Sequence, residues 1–221
     1  MEPMRETWKM ETENPFAGKE LVGGRICLDF ANTLGQHEPE PLSEWLASYD
    51  DLVWWALRAD IVPRAEAPAL FERARAHPGE AAEVFRRAIA LREAVFRIFS
   101  AAAAKRDPDP ADLEVLNREL ALAMPHARVA PVTPRGCGCD WAWEETGALD
   151  RVLWPVARSA AEALTSEDVG RIGECAGEGC QWLYVDTSRN HSRRWCVMSD
   201  CGNRAKAKRH YHRAKAGSGG A

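Results

Sequence analysis

Cys175-Ala176-Gly177-Glu178-Gly179-Cys180 and Cys196-Val197-Met198-Ser199-Asp200-Cys201 are two C-x4-C pairs separated by fifteen residues. Two close thiol pairs joined by a hairpin-sized spacer can wrap one tetrahedral metal, and thiolates alone fill the four positions that zinc requires. Gly177, Gly179 and Gly202 add backbone freedom where the chain must turn around an ion. Four thiolates close the shell. The expectation is therefore one structural Zn2+ held by Cys175, Cys180, Cys196 and Cys201, without the open position of a catalytic ion. The blander reading is four reduced thiols buried as small apolar groups, and it does not account for two equal spacings. His191 is a ligand by type but falls in the predicted turn of the spacer.

Outward from the cysteines, Gln181–Val185 and Arg193–Val197 read as two strands joined by a turn at Thr187–Ser192. Cys201 then falls at or just before the first turn of a last helix. Knuckle, hairpin and helix make a treble-clef-like unit. From Asn203 to Lys215 the apolar face is only Ala207, Tyr211 and Ala214, and no acid follows Asp200. Surface helices kept for solubility usually mix both signs, so this bias points to a polyanion. Candidate nucleic-acid contacts are Arg189, Arg193 and Arg194 in the hairpin, then Asn203, Arg204, Lys206, Lys208, Arg209 and Arg213 in the helix. Arginine grips phosphate or reads guanine through paired donors. Asn203 could read adenine, but the preferred reading is a helix cap.

Net charge divides along the chain. Residues 171–221 hold ten Lys/Arg against four Asp/Glu, whereas the 221-residue whole carries −4. The basic end is therefore what attracts a polyanion, and the acidic body discourages promiscuous binding. Seven cysteines without an apolar leader in the polar first twenty residues fit a reducing, cytoplasmic location. No apolar run is long enough for a membrane span.

Before the finger, Met1–Pro15 reads as a loose lead-in and Arg25–Phe30 as a short strand. Ser43 is placed as a helix cap with Leu46 inward. Asp50 and Asp51 open a helix to Arg58 with Leu52, Trp55 and Ala56 inward, and Pro63 begins another. Gly79–Ala104 carries the clearest helical stripe, Val84, Ala88, Leu91, Val95, Ile98 and Ala102, widened by Phe85, Ile89, Phe96 and Phe99. A break at Asp107–Pro110 precedes a helix marked by Leu113, Leu116, Leu120 and Met124. His126–Val132 and Cys139–Glu145 read as a β-hairpin turning at Pro134–Gly138, with Trp141 and Trp143 on one face. Leu149, Val152, Leu153, Val156, Ala160 and Leu164 make a last stripe, kinked or restarted at Pro155. Cys137-x-Cys139 reads as turn thiols in preference to a redox pair. Asp29, Asn32 and Thr33 either line a small-effector pocket or satisfy local backbone groups.

Trp195–Arg204, with Cys196 and Cys201 followed by Gly202-Asn203-Arg204, resembles the CGNR-type zinc finger, and Arg171–Asp186 fits the same family. Gly24–Leu34, read as Gly-Arg-Ile-Cys-Leu-Asp-Phe-Ala-Asn-Thr-Leu, resembles the opening of the ABATE domain. The resemblance implies a stress-linked transcription regulator that binds DNA. The expected architecture is α+β: an ABATE-like α-rich domain with a small β-hairpin over 1–168, a treble-clef-like zinc finger (β-hairpin and helix) over 169–216, and a disordered tail over 217–221. The first domain would sense a small-molecule effector or form a homodimer. The alternatives are an RNA-binding protein stacking bases on Tyr211 or Trp195, and a protein-interaction adaptor with a purely structural zinc. Enzyme motifs such as G-x-S-x-G, a Walker loop or H-E-x-x-H are absent, so the chain is not expected to be an enzyme.

Overall fold

Val84, Ala88, Leu91, Val95 and Ile98 are each buried to 3% exposure or less, along one side of a helix running Pro78–Ala103. A helix this apolar on one side needs other elements around it. The computed structural model describes residues 14–35, 43–131 and 138–217. In chain order these contain α1 (Ile26–Ala31), β1 (Leu34–Gly35), β2 (Ser43–Glu44), α2 (Tyr49–Arg58), α3 (Ala67–Ala76), α4 (Pro78–Ala103), α5 (Pro110–Ala123), β3 (Ala127–Pro131), β4 (Cys139–Trp143), α6 (Trp154–Thr165), β5 (Ile172–Glu174), β6 (Leu183–Val185) and α7 (Asn203–Gly217). Each strand pair, β1–β2, β3–β4 and β5–β6, is a separate two-stranded antiparallel sheet. The fold is α+β, and helix-rich as expected. Among the described residues no helix is long and apolar enough to cross a membrane.

Several local expectations hold. The 127–131 and 139–143 strands pair with Val129 opposite Trp141. Pro155 does restart the last stripe, for a 3-10 turn at Leu149–Val152 gives way to α6 with the proline in its first turn. Pro110 sits in the first turn of α5, after Asp109, whose carboxylate caps Ala111 N–H.

Other expectations are corrected. Arg25–Phe30 is not a strand; Ile26–Ala31 is helical, with Cys27, Leu28, Phe30 and Ala31 all buried. A short segment buried on every side shows no periodicity by which helix and strand can be told apart. Ser43 does not cap a helix but lies in β2; the cap is Ser48, which accepts Asp51 N–H. The helix expected at Pro63 begins at Ala67, with Pro68 in its first turn. Met124 is 40% exposed and ends α5 outside the core. Arg193–Val197 forms no strand. β6 pairs instead with β5, Leu183 opposite Glu174 and Val185 opposite Ile172. The backbone of 193–197 is taken by other partners: Arg193 N–H donates to Asp186, Arg193 C=O accepts the Tyr184 hydroxyl, and Arg194 C=O accepts Ala176 N–H. The lead-in over Met1–Pro15 lies mostly outside the described residues, as do the Pro134–Gly138 turn apart from Gly138 and the 217–221 tail apart from Gly217.

The 3-10 turn Glu167–Arg171 falls where the two parts were expected to divide, yet the core crosses it. Ile172, Trp182, Leu183 and Val185 belong to the same buried cluster as Leu28, Trp45 and Leu91. Trp182 meets Trp45 edge-on with ring centroids 5.9 Å apart. Asn32 joins the parts by polar contact: its Nδ2 donates to Leu183 C=O at 2.9 Å and its Oδ1 accepts Leu183 N–H at 2.8 Å. Both groups are buried, so Asn32→Ala leaves a donor and an acceptor without partners. The expected loss is roughly 2–4 kcal/mol of stability, read as a lower denaturant midpoint. Asn32→Asp should not rescue it, because a carboxylate cannot donate to Leu183 C=O.

Candidate metal centre and basic face

The four sulfurs of Cys175, Cys180, Cys196 and Cys201 lie within 4.8 Å of one another, and all four residues are buried. Cys196 Sγ stands 3.5 Å from both Cys180 Sγ and Cys201 Sγ. Cys175 Sγ accepts N–H groups from Cys196 at 3.2 Å and Gly177 at 3.4 Å. Arg204 Nη2 donates to Cys201 Sγ at 3.0 Å. Hydrogen bonds from the Cys180 and Cys196 thiols, then from those N–H groups, draw Cys175 far below the ordinary thiol range. Their bonds to Cys175 push Cys180 and Cys196 up. One thiolate here obliges its neighbours to keep their protons, and only a multivalent cation lets all four ionise. An all-sulfur, buried, four-donor set fits one zinc ion, which the four cysteines are positioned to bind. His191 stands outside the cluster, at a φ of 48°.

Local geometry explains how a short chain brings the sulfurs together. Cys175 N–H donates to Trp182 C=O at the end of the β5–β6 ladder, which aims the first knuckle inward. Gly179 turns the chain at a φ of +72°. Gly177 is needed for space: a Cβ there would sit 3.0 Å from Cys201 Sγ. The second pair ends in a π-helical turn, Met198–Gly202, that leads directly into α7.

Arg193 has a different place from the one expected. Its guanidinium donates to Val185 C=O, Val22 C=O, Trp195 C=O and Cys196 C=O at 2.6–3.1 Å, and lies over the Tyr184 ring at 4.2 Å. It ties the finger to the first domain, and its donors are used within the chain. Asn203 is corrected too. It begins α7 in helical conformation, and its Nδ2 donates back to Ser199 C=O at 3.0 Å, so it is not the residue outside the helix that caps it.

Of the remaining cations, Lys206, Arg209 and Arg213 share one side of α7, and Arg204 and Lys208 lie toward another. Arg189, Arg194, Lys206, Lys208, Arg209 and Arg213 are exposed, and Arg204 is half-buried with its Nε 3.2 Å from Asp200. Lys208 pairs with Glu178 of the first knuckle. Between knuckle and helix lies a cleft of about 570 Å3, walled by Arg194, Trp195, Arg204, Lys208 and Arg209. Sequence reasoning missed Glu178, whose place opposite Lys208 depends on how the knuckle meets α7. On the expected apolar face of α7, Ala207 is exposed and Tyr211 is 64% exposed.

Of the three residues near the N-terminus, Asp29 lines a cavity. Asn32 holds Leu183, and Thr33 is buried, donating to Phe30 C=O at 2.7 Å. Both satisfy backbone groups, the other reading of them. Asp29 Oδ1 accepts Gly23 N–H at 2.7 Å. Burial raises its carboxyl to about 6, against the opposing pull of the Gly23 and Val22 N–H groups. A folded-state value above the ordinary one favours folding at low pH, and that benefit is lost as pH rises through about 6. The cost at neutral pH is roughly 3 kcal/mol, at 1.36 kcal/mol per unit. Asp29→Asn keeps the acceptor for Gly23 and removes the buried charge. Its melting temperature relative to wild type is expected to rise between about pH 5 and pH 7.5. Parallel curves across that window would show that Asp29 is not the titrating group. Cys139 is exposed and unpaired in any disulfide, and Cys137 lies outside the described residues.

Comparison with known families agrees with this geometry. Residues 24–167 match the ABATE family model, described as a putative stress-induced transcription regulator. Residues 171–214 match the CGNR zinc finger. No curated protein matches the chain.

Proposed function

The chain belongs to the ABATE family and carries a CGNR zinc finger, and from that premise we propose that it is a cytoplasmic, non-enzymatic regulator of transcription that binds DNA through the finger. The observation that carries the reading is the charge of α7. No acid follows Asp200, and Lys206, Arg209 and Arg213 are exposed on a helix anchored beside four buried thiols. Arg194 and Arg209 extend this charge into the cleft beside Trp195, where a phosphate backbone can lie. The helical first domain then serves as an effector sensor or dimerisation unit. A dimer would lengthen the site that one small finger reads.

A salt series by fluorescence anisotropy tests this with zinc-loaded protein. Each phosphate neutralised contributes about 0.9 to the slope of log affinity against log salt on duplex DNA. Lys206→Ala and Arg213→Ala should each flatten the slope by about one. Arg73→Ala, whose side chain pairs with Glu80 far from the finger, should leave it unchanged. Absence of binding at low salt, with zinc bound, would replace this reading with the adaptor. The exposure of Tyr211 favours a second reading, single-stranded RNA stacked on that ring, and competition between duplex DNA and RNA separates the two.

A further inference from the structure

A cavity of about 540 Å3 lies between α1, the end of α2, the strand β4 and α6. That volume lies within the range occupied by small-molecule ligands. Its wall contains two indoles, Trp141 and Trp143, and more acid than base. The two arginines in the wall are committed. Arg25 Nε donates to Asp168 at 2.9 Å, and Arg158 pairs with Glu162 at 3.3 Å while its guanidinium covers Trp141 at 4.8 Å. Asp29 and Asp60 remain, since the alternation of β4 turns the Asp140 side chain to the face opposite Trp141 and Trp143. Among the described residues, Asp29 is met by the backbone N–H groups of Gly23 and Val22, and Asp140 by that of Trp141.

We propose that this cavity binds an organic ammonium ion with a flat apolar body, its nitrogen drawn to Asp29 and Asp60, and its body against Trp141 and Trp143. Asp29 and Asp60 face the cavity while its two arginines are already paired; Arg58 and Arg193 also act on Asp29, but the balance of carboxylates not held in an ion pair favours a cation over an anion of equal size. Indole faces attract cations as well, and Arg158 already occupies one face of Trp141 in that way. Asp29 is 9% exposed, and a bound cation would offset the cost of keeping its charge out of water. The floor also touches the finger: Gly23, which donates to Asp29, accepts Val185 N–H at 2.8 Å, and its neighbour Val22 accepts from Arg193. Binding itself does not depend on the DNA-binding reading; its use as a regulatory signal does.

The test is calorimetric titration of the zinc-loaded full chain, without DNA. The probes are phenethylammonium and benzyltrimethylammonium, with 3-phenylpropionate as the size-matched anion. The expected result is one-to-one binding of at least one ammonium ion and no binding of the anion. Asp29→Asn should weaken that binding by tenfold or more, and Trp141→Ala severalfold. Asp29→Asn retains the acceptor for Gly23, and Trp141 is 43% exposed, so both variants should fold. The proposal is overturned if neither ammonium ion binds, if the anion binds equally well, or if Asp29→Asn leaves affinity unchanged.

Discussion

Cys196→Ser is expected to abolish zinc binding and to lower the melting temperature of the whole chain. Cys196 is 3% exposed and belongs to the same buried cluster as Trp182, Leu183 and Val185, which pack with the helices of the first domain. Structural zinc contributes about 10–16 kcal/mol of apparent binding free energy in small finger peptides. A whole domain's net stability is about 5–15 kcal/mol. Loss of the ion therefore removes an amount comparable to everything that holds the chain folded. Elemental analysis should give one zinc per wild-type chain, and X-ray absorption should show only sulfur ligands. Circular dichroism should then show the helical signal of Cys196→Ser melting earlier, in step with near-ultraviolet tryptophan signals. Helices that melt at the wild-type temperature without zinc would mean that the first domain stands alone.

Arg193→Ala is the second large effect. The substitution leaves Val185, Val22, Trp195 and Cys196 carbonyls without their charged donor and exposes the Tyr184 ring. Hydrogen bonds to charged groups contribute about 1.5–3 kcal/mol each, and several share one guanidinium here, so the expected loss is roughly 3–5 kcal/mol. Arg193→Lys should recover little of it, because a compact ammonium cannot span the planar spread of acceptors. Zinc release to a chromogenic chelator should speed up in both variants. Unchanged zinc release and melting, combined with altered DNA preference, would return Arg193 to the role of a base reader.

What the sequence disclosed follows from how local each signal is. The two C-x4-C pairs state their chemistry in a few residues, so the sulfur cluster was legible without any fold. The stripe from Val84 to Ile98 repeats often enough to define α4 to within one residue at each end. Ile26–Ala31 was not legible as a helix, because burial on all sides erases the contrast that periodicity needs. Arg193 misled for a different reason. Its spacing beside Arg194 suggests a surface pair, but a tertiary contact with Val22, 171 residues away, directs it inward. Asn32 likewise reads as a pocket lining or a partner for local backbone groups until Leu183, 151 residues later, arrives beside it. The strand pairing of β6 also turns on partner choice: Arg193–Val197 has the composition of a strand, but Asp186, Tyr184 and Ala176 had already taken its backbone groups.

The core that runs across Glu167–Arg171 bears on how such a chain can be recombined. A finger grafted onto another protein at that turn would arrive with Leu183 missing the amide of Asn32 and with Arg193 missing the carbonyl of Val22. Chimaeras that exchange reading heads between relatives should therefore carry Val22–Asn32 along with residues 171–217, two pieces distant in sequence that must be inherited together. A swap at the obvious seam would join two halves that each lack a wall.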